Sequence, residues 1–521
     1  MSTGQPRMTG TGAGGGDSPA PSYRTLLTFG MGVTALILAG LAARLATRSG
    51  APDNDDAIFF IRGVQHFSVA LARPHWPGYP VYIAAAKLVA SLVGDPVAAL
   101  QILSAVAVVA VAWPLAVIVR AWASSLGTEA RRAAAAGLAA AALWLVLPIS
   151  WVTGTQIVSD PLGLLCGLGV LALGIHGERS RQSRPWILAA LFAGLLPGVR
   201  LVNVSMLGPL VWKAWSARGQ RWRGVPAPAL LAAAVVAGAL PWVLGLALTD
   251  PLGYVRTGRT QLLMHFTRFG ESAVTDRHLF DRPWVALRTL AVYGLGAGPP
   301  SMGWARAAAS VAWVVLLVGA ATRRPWRGDV GRLVALWAVP HVAHVFVAHD
   351  VAYPRYMLAP AALLTIAAGL AVARATPAAL VGLACALVSI APASARIALL
   401  QARQPPVEYQ AARYLARQPR PLIVGLEKGD RLDIHLSDFG DGLSWLRVDP
   451  DEIPGRRREW AATGLHVYST TVPAEEPSAW VPVAHFCQDP RIEPLAAHDL
   501  WLFRAAPAAE AASLPECGEE R

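Results

Sequence analysis

Between residues 24 and 393 the chain is a succession of apolar runs, near 24–45, 77–94, 97–119, 133–153, 157–176, 186–199, 201–215, 227–248, 284–298, 303–321, 330–348, 355–373 and 376–393. This leaves few folds open. A helix crosses the bilayer core with about 20 apolar residues, and inside the core every backbone polar group must find a protein partner. Only 15% of the residues are charged, against roughly a quarter in soluble domains. The chain therefore reads as a polytopic α-helical membrane protein.

Orientation follows from the short connections, because cytoplasmic loops collect Lys and Arg. Four are basic: Arg120, Arg131 and Arg132; Arg179, Arg181 and Arg184; Lys213, Arg218, Arg221 and Arg223; and Arg323, Arg324 and Arg327. All four fall inside if 284–298 lies along the outer surface and 77–94 is re-entrant or interfacial. This predicts 11 spanning helices, a cytoplasmic N-terminus and an extracytoplasmic tail, in a multi-pass protein of the plasma membrane. Arg44 and Arg48 then stand on the wrong side of the first helix. Of the acids in residues 1–399, four fall inside and ten outside. The rule counts only Lys and Arg, so this second asymmetry was not built in. It points to chemistry on the outer face.

Residues 1–399 carry a net +18 and residues 400–521 a net −6. A uniformly basic nucleic-acid binder would not divide this way. Three parts are expected: a disordered, Gly/Ser/Thr/Pro-rich segment 1–23 without a cleavable leader, a membrane domain 24–399, and a small α/β domain 400–521. In the last, 421–426, 465–470, 481–486 and 500–504 read as strands, and 408–418 and 451–464 as helices. Cys487 and Cys517 lie in this tail and could pair if it is exported, whereas Cys166 and Cys385 sit in apolar runs.

After the first apolar run comes PDNDDAIFFIRGVQHFSVALARPHWPGYP (52–80). Asp55 and Asp56 precede an amphipathic segment with Phe60, Val64, Phe67 and Leu71 on one side and Arg62, Gln65 and His66 on the other, suited to lying in the interface. Pro74, Pro77 and Pro80 then make a stiff, irregular connection. Clustered aspartates could equally cap a turn. This combination of outer-loop acidic pair, amphipathic helix and His75-Trp76-Pro77-Gly78-Tyr79-Pro80 resembles the first loop of GT-C membrane glycosyltransferases. Those include the protein O-mannosyltransferases and the lipid A aminoarabinose transferases. The resemblance implies a polyprenyl-phosphate-linked sugar donor and an essential first-loop carboxylate. These families often have Asp-Glu where this chain has Asp-Asp, so whether Asp55 or Asp56 does the work stays open.

The same resemblance singles out further residues, among them His75 and Tyr79 as substrate contacts. Asp160, at the start of a spanning helix, matches an acid of the second outer loop, although an acid there also suits the helix dipole. Arg200 sits between apolar runs, where an arginine is paired, phosphate-bound or snorkelling. HDVAYPRYM (349–357) gathers His349, Asp350, Tyr353, Arg355 and Tyr356 and resembles the late P-R-Y segment whose arginine lies near the lipid phosphate. The stretch 249–283 reads as a long outer loop with Arg256, Arg259, His265, Arg268, Glu271, Asp276 and His278.

The implied function is inverting transfer of a sugar from a polyprenyl-phosphate donor to a lipid, glycan or protein acceptor in the cell envelope. Membrane lipids are partners and nucleic acid is not. No cofactor is evident, and paired acids leave the use of a divalent metal open. The rivals are a transporter or flippase of a lipid-linked sugar and a non-catalytic membrane scaffold. A transporter more often shows mid-bilayer charges and an inverted repeat; neither is evident here.

Overall fold

The protein is described from a computed structural model that covers residues 23–249, 251–267, 272–275, 279–322, 328–419, 421–427, 431–438, 445–489 and 499–505. The N-terminal segment, the connection with Arg323, Arg324 and Arg327, Cys517, and Arg268, Glu271, Asp276 and His278 lie outside these residues.

Helices α1 (Tyr23–Ala46), α2 (Asp55–Gln65) and α3 (Pro80–Val93) are followed by α4 (Pro96–Ala110) and α5 (Ala112–Ser125), which run on as one 30-residue helix. Next come α6 (Ala130–Val146) and α7 (Pro148–Thr155), bent by 59° at their junction, then α8 (Asp160–Ser180) and α9 (Ser183–Val199). A 3-10 segment, Leu201–Leu207, leads into α10 (Gly208–Ser216), and a two-residue-strand hairpin, β1 (Arg221–Trp222) with β2 (Val225–Pro226), into α11 (Ala227–Thr249). The bundle closes with α12 (Pro251–Thr267), α13 (Arg282–Arg288), α14 (Trp304–Ala321), α15 (Asp329–Ala348), α16 (Leu358–Val372) and α17 (Pro377–Arg403).

Among the described residues eight helices are long and apolar enough to cross a bilayer, nine if α6 and α7 form one path. The expected eleven included 186–199 and 201–215. The first is the 17-residue α9, about 26 Å at 1.5 Å per residue. The second divides into a 3-10 segment and a nine-residue helix. The stretch 249–283, expected as a loop, contains the 17-residue helix α12.

Arg44 is not a misplaced loop cation. It is buried and donates to the carbonyls of Gly40, Leu145 and Ser150 and to the Ser150 hydroxyl. Pro148 cannot donate to the preceding turn, so the helix breaks there and frees carbonyls. Arg44 donates to one of those, Leu145, and Ser394 to another, Val146. This is how irregular backbone is tolerated within a bundle. Close helix contact has an equally local cause at α9 and α11. A Cβ on Gly194 would stand 2.1 Å from the Val235 carbonyl oxygen, and one on Gly238 2.0 Å from that of Leu191. Only glycine lets these two backbones meet.

Past α17 lies an α/β unit with α18 (Val407–Ala416), β3 (Leu422–Gly425), α19 (Leu432–Asp438), β4 (Trp445–Val448), α20 (Ile453–Ala462), β5 (His466–Ser469), β6 (Trp480–Cys487) and β7 (Asp499–Ala505). Its sheet has the order β4-β3-β5-β7-β6, parallel in β4-β3-β5 and antiparallel beyond. Parallel neighbours need crossover connections, and α19 and α20 are those crossovers. The apolar side chains of α18 and α19 pack on one face of the sheet, Ile453 and Trp460 of α20 on the other. Strand β4 and helix α19 are additions to the elements expected from sequence.

Candidate active site

The site begins at the N-terminus of α2. Asn54, not an aspartate, caps the helix, its Oδ1 accepting from the Ala57 amide at 3.0 Å. Asp53 is buried and occupied elsewhere: it accepts from the Ile157 amide (3.0 Å), the Ser49 hydroxyl (3.3 Å) and the Gln401 amide (3.4 Å). Turn-making is thus assigned to Asn54 and anchoring to Asp53; all four residues, Asp55 and Asp56 included, border a cavity of about 1080 Å³. The helix buries Ala57, Ile58, Phe60, Ile61 and Val64. It ends at Gln65, so Phe67 and Leu71 are not part of its apolar face, and Leu71 stands exposed on a separate 3-10 turn. Arg62, expected on a headgroup-facing side, donates instead to the Ile434 carbonyl and the Ser437 hydroxyl of α19.

The Pro-rich element turns back over α2. Gly78 and Tyr79 both have positive φ, and this sharp turn sets His75 Nε2 3.0 Å from the Tyr79 hydroxyl. His75 Nδ1 lies 3.8 Å from Asp56 Oδ1. Trp76 packs on α12, where a Cβ on Gly258 would stand 2.5 Å from its indole nitrogen. Helix α12 therefore lies beside the element, and its Gln261 and Leu262 join the cavity wall.

Two ion pairs close the site from the bundle side. Helix α8 leaves from Asp160 and α9 returns to Val199, which brings Arg200 Nη1 to 2.9 Å from Asp160 Oδ2 and 3.1 Å from the Ser159 hydroxyl. On the 3-10 turn Pro354–Met357, Arg355 Nη1 donates to Asp56 Oδ2 at 2.8 Å. Both guanidiniums lie over the Tyr356 ring, at 5.5 Å and 5.2 Å from its centre. His349 stacks on the same ring at 4.4 Å. Asp350 has a local task, accepting from the Ala352 amide, and does not line the cavity. Arg256 and Arg259 are exposed on α12 and do not line it either.

The two neighbouring aspartates differ electrostatically. Burial disfavours the charge on Asp56, but Arg355, His75 and Arg200 outweigh it and hold this carboxyl far below the usual range. Burial lifts Asp55 to about 6; Arg431 offsets part of this, while Asp56 and Asp433 add to it. Asp56 is a fixed anion. Asp55 exchanges a proton near neutral pH. Burial also pushes the His75 imidazole below its ordinary value, against the pull of Asp56.

The α/β unit reaches the same cavity with Arg431, His435 and Trp501. No sequence motif marks them. The group His485, Cys487 and Asp499 has metal-ligand proximity, but Cys487 is disulfide-bonded and offers no thiolate. Asp55 and Asp56 are each engaged by an arginine. Among the described residues, neither donor set fits a divalent metal.

No protein-family model matches this sequence, and neither does any curated protein. Its structure is similar to that of ArnT from Cupriavidus metallidurans bound to undecaprenyl phosphate, with a TM-score of 0.55 at 14% identity, over 92% of this chain and 99% of that one. For the same protein in the apo state the TM-score is 0.53 at 13% identity, with the same coverage. The fold is that of a GT-C membrane glycosyltransferase.

Proposed function

We propose that this chain is an inverting glycosyltransferase that moves a sugar from a polyprenyl-phosphate-linked donor to an acceptor hydroxyl at the outer membrane face. One observation carries the reading. Asp55 faces the same cavity as Arg355, whose Nε is buried without a hydrogen-bond partner. A buried N–H of this kind costs free energy until an acceptor meets it, and a phosphate oxygen suits a guanidinium edge. Support for a polyprenyl carrier comes from the ligand of the similar ArnT.

In this mechanism the Asp55 carboxylate accepts the acceptor hydroxyl's proton as that oxygen attacks the anomeric carbon. The bond from that carbon to the phosphate oxygen breaks, and its electron pair leaves with the phosphate. Arg355, oriented by Asp56 and Tyr356, stabilises the growing charge. Arg200 is neutralised by Asp160 and also lies over the Tyr356 ring. Incubating the purified protein with a panel of polyprenyl-phosphate sugars is expected to give transfer, or slow hydrolysis, with at least one. Translocation of a donor across proteoliposomes without cleavage would favour the flippase.

The outer-face assignment rests on the basic connections. Asp160 and Arg200 share one end of the bundle, with Arg179, Arg181 and Arg184 at the other ends of the same two helices. Single cysteines at positions 55 and 475 should label from outside intact cells, and one at 221 only after permeabilisation. Strong outside labelling at 221 reverses the orientation.

A further inference from the structure

The segment before and along α19 reaches back onto α2 in two ways. Arg62 holds the backbone of α19 and the Ser437 hydroxyl at 3.1 Å and 2.8 Å. Arg431 places its Nε 3.3 Å from Asp55 Oδ2, and it also hydrogen-bonds Tyr353, two residues before Arg355. Arg431 thereby joins the helix that carries the acid to the turn that carries the phosphate-facing arginine. Its side chain is 54% exposed and that of Asp55 20%. An ion pair so open to solvent contributes little to stability, typically below about 1 kcal/mol. Docking is already provided by Arg62, so fold stability alone does not account for an arginine at this place.

We propose that Arg431 is a positioning residue for the glycosyl transfer: by bridging Asp55 and Tyr353 it holds the base toward the cavity and makes the C-terminal unit part of the acid–base machinery. The inference rests on Asp55 being the base. The charged groups that reach Asp55 are Arg431 and Asp433 from the α/β unit and Asp56 on its own helix. Of these only Arg431 favours the carboxylate; both aspartates and burial favour the protonated form. A base works when ionised, that is, above its titration point. Loss of Arg431 must therefore move the acidic limb of kcat/KM to higher pH.

The test is the pH profile of transfer, from pH 5 to 9 in one detergent, for the wild type, Arg431→Ala, Arg431→Lys and Arg62→Ala. Arg431→Ala should shift the acidic limb upward by about one unit, the low end of the one to three units that an opposite charge at this range supplies, since solvent screens the pair. Transfer then falls about tenfold below the limb and stays near wild type at pH 9. Lysine keeps the charge and should restore most of the limb's position. Arg62→Ala removes docking without removing that charge, so its limb should stay where it is. An unmoved limb in Arg431→Ala, or a loss equal at every pH, overturns the proposal. Full transfer by Asp55→Asn defeats the base assignment itself, and the proposal falls with it, which separates the two failures.

Discussion

Asp55→Asn should lower transfer by about 10²–10⁴-fold, the usual contribution of a general base, while the protein still folds and binds donor. Asparagine keeps the shape of the side chain and cannot accept the proton. The fold should not suffer. Because burial raises the Asp55 carboxyl to about 6, its stabilising influence is complete below the unfolded value and fades as pH rises through the folded one. At neutral pH the ionised group is therefore a small liability, and the neutral variant should melt at the same temperature or slightly above. Asp56→Asn should behave differently. It takes the negative charge from the group 2.8 Å from Arg355, so melting temperature and donor affinity should fall together. Turnover and melting of both variants, in one detergent, decide the assignment. Wild-type turnover by Asp55→Asn sinks the base and favours a scaffold.

The sites read most easily from sequence are those written in consecutive residues. Asp55 and Asp56, the His75–Tyr79 element and Arg355 each sit in a short pattern of acids, prolines or aromatics, and all of them line the cavity. Pairing was harder to read. Asp160 and Arg200 were separate candidates, and only the antiparallel return of α9 along α8 brings them together. Asp350 resembled its neighbours chemically yet caps its own turn. Arg44 looked like a topology error, but the break between α6 and α7 frees the Leu145 carbonyl that it satisfies. Helix α19 was illegible for a physical reason. Leu432, Ile434 and Leu436 alternate as in a strand, and the segment is seven residues long. It is helical because β3 and β4 run parallel and need a crossover between them. Since Arg431 and His435 are placed by that crossover, the C-terminal contribution to the cavity was hidden with it.

Arg355→Ala should cost about 10²–10³-fold in turnover, the scale found when one donor to a developing anion is removed. Arg355→Lys should fall between the alanine variant and the wild type. Lysine keeps a charge that can meet Asp56, but it lacks the Nε that is buried without a partner in the present structure, and with it the planar two-pronged contact to phosphate. Alanine also strands Asp56, a partly buried carboxylate, so a lower melting temperature is expected beside the loss of rate. The two effects can be pulled apart. Adding Asp56→Asn to Arg355→Ala removes the stranded charge and should recover stability without recovering transfer. A residue that merely snorkelled would show the opposite pattern: lysine would replace it at no cost, and the double variant would regain activity along with its fold. Wild-type turnover in the alanine variant takes Arg355 out of the site and moves the phosphate contact to Arg200, whose pairing with Asp160 would then have to open when donor binds.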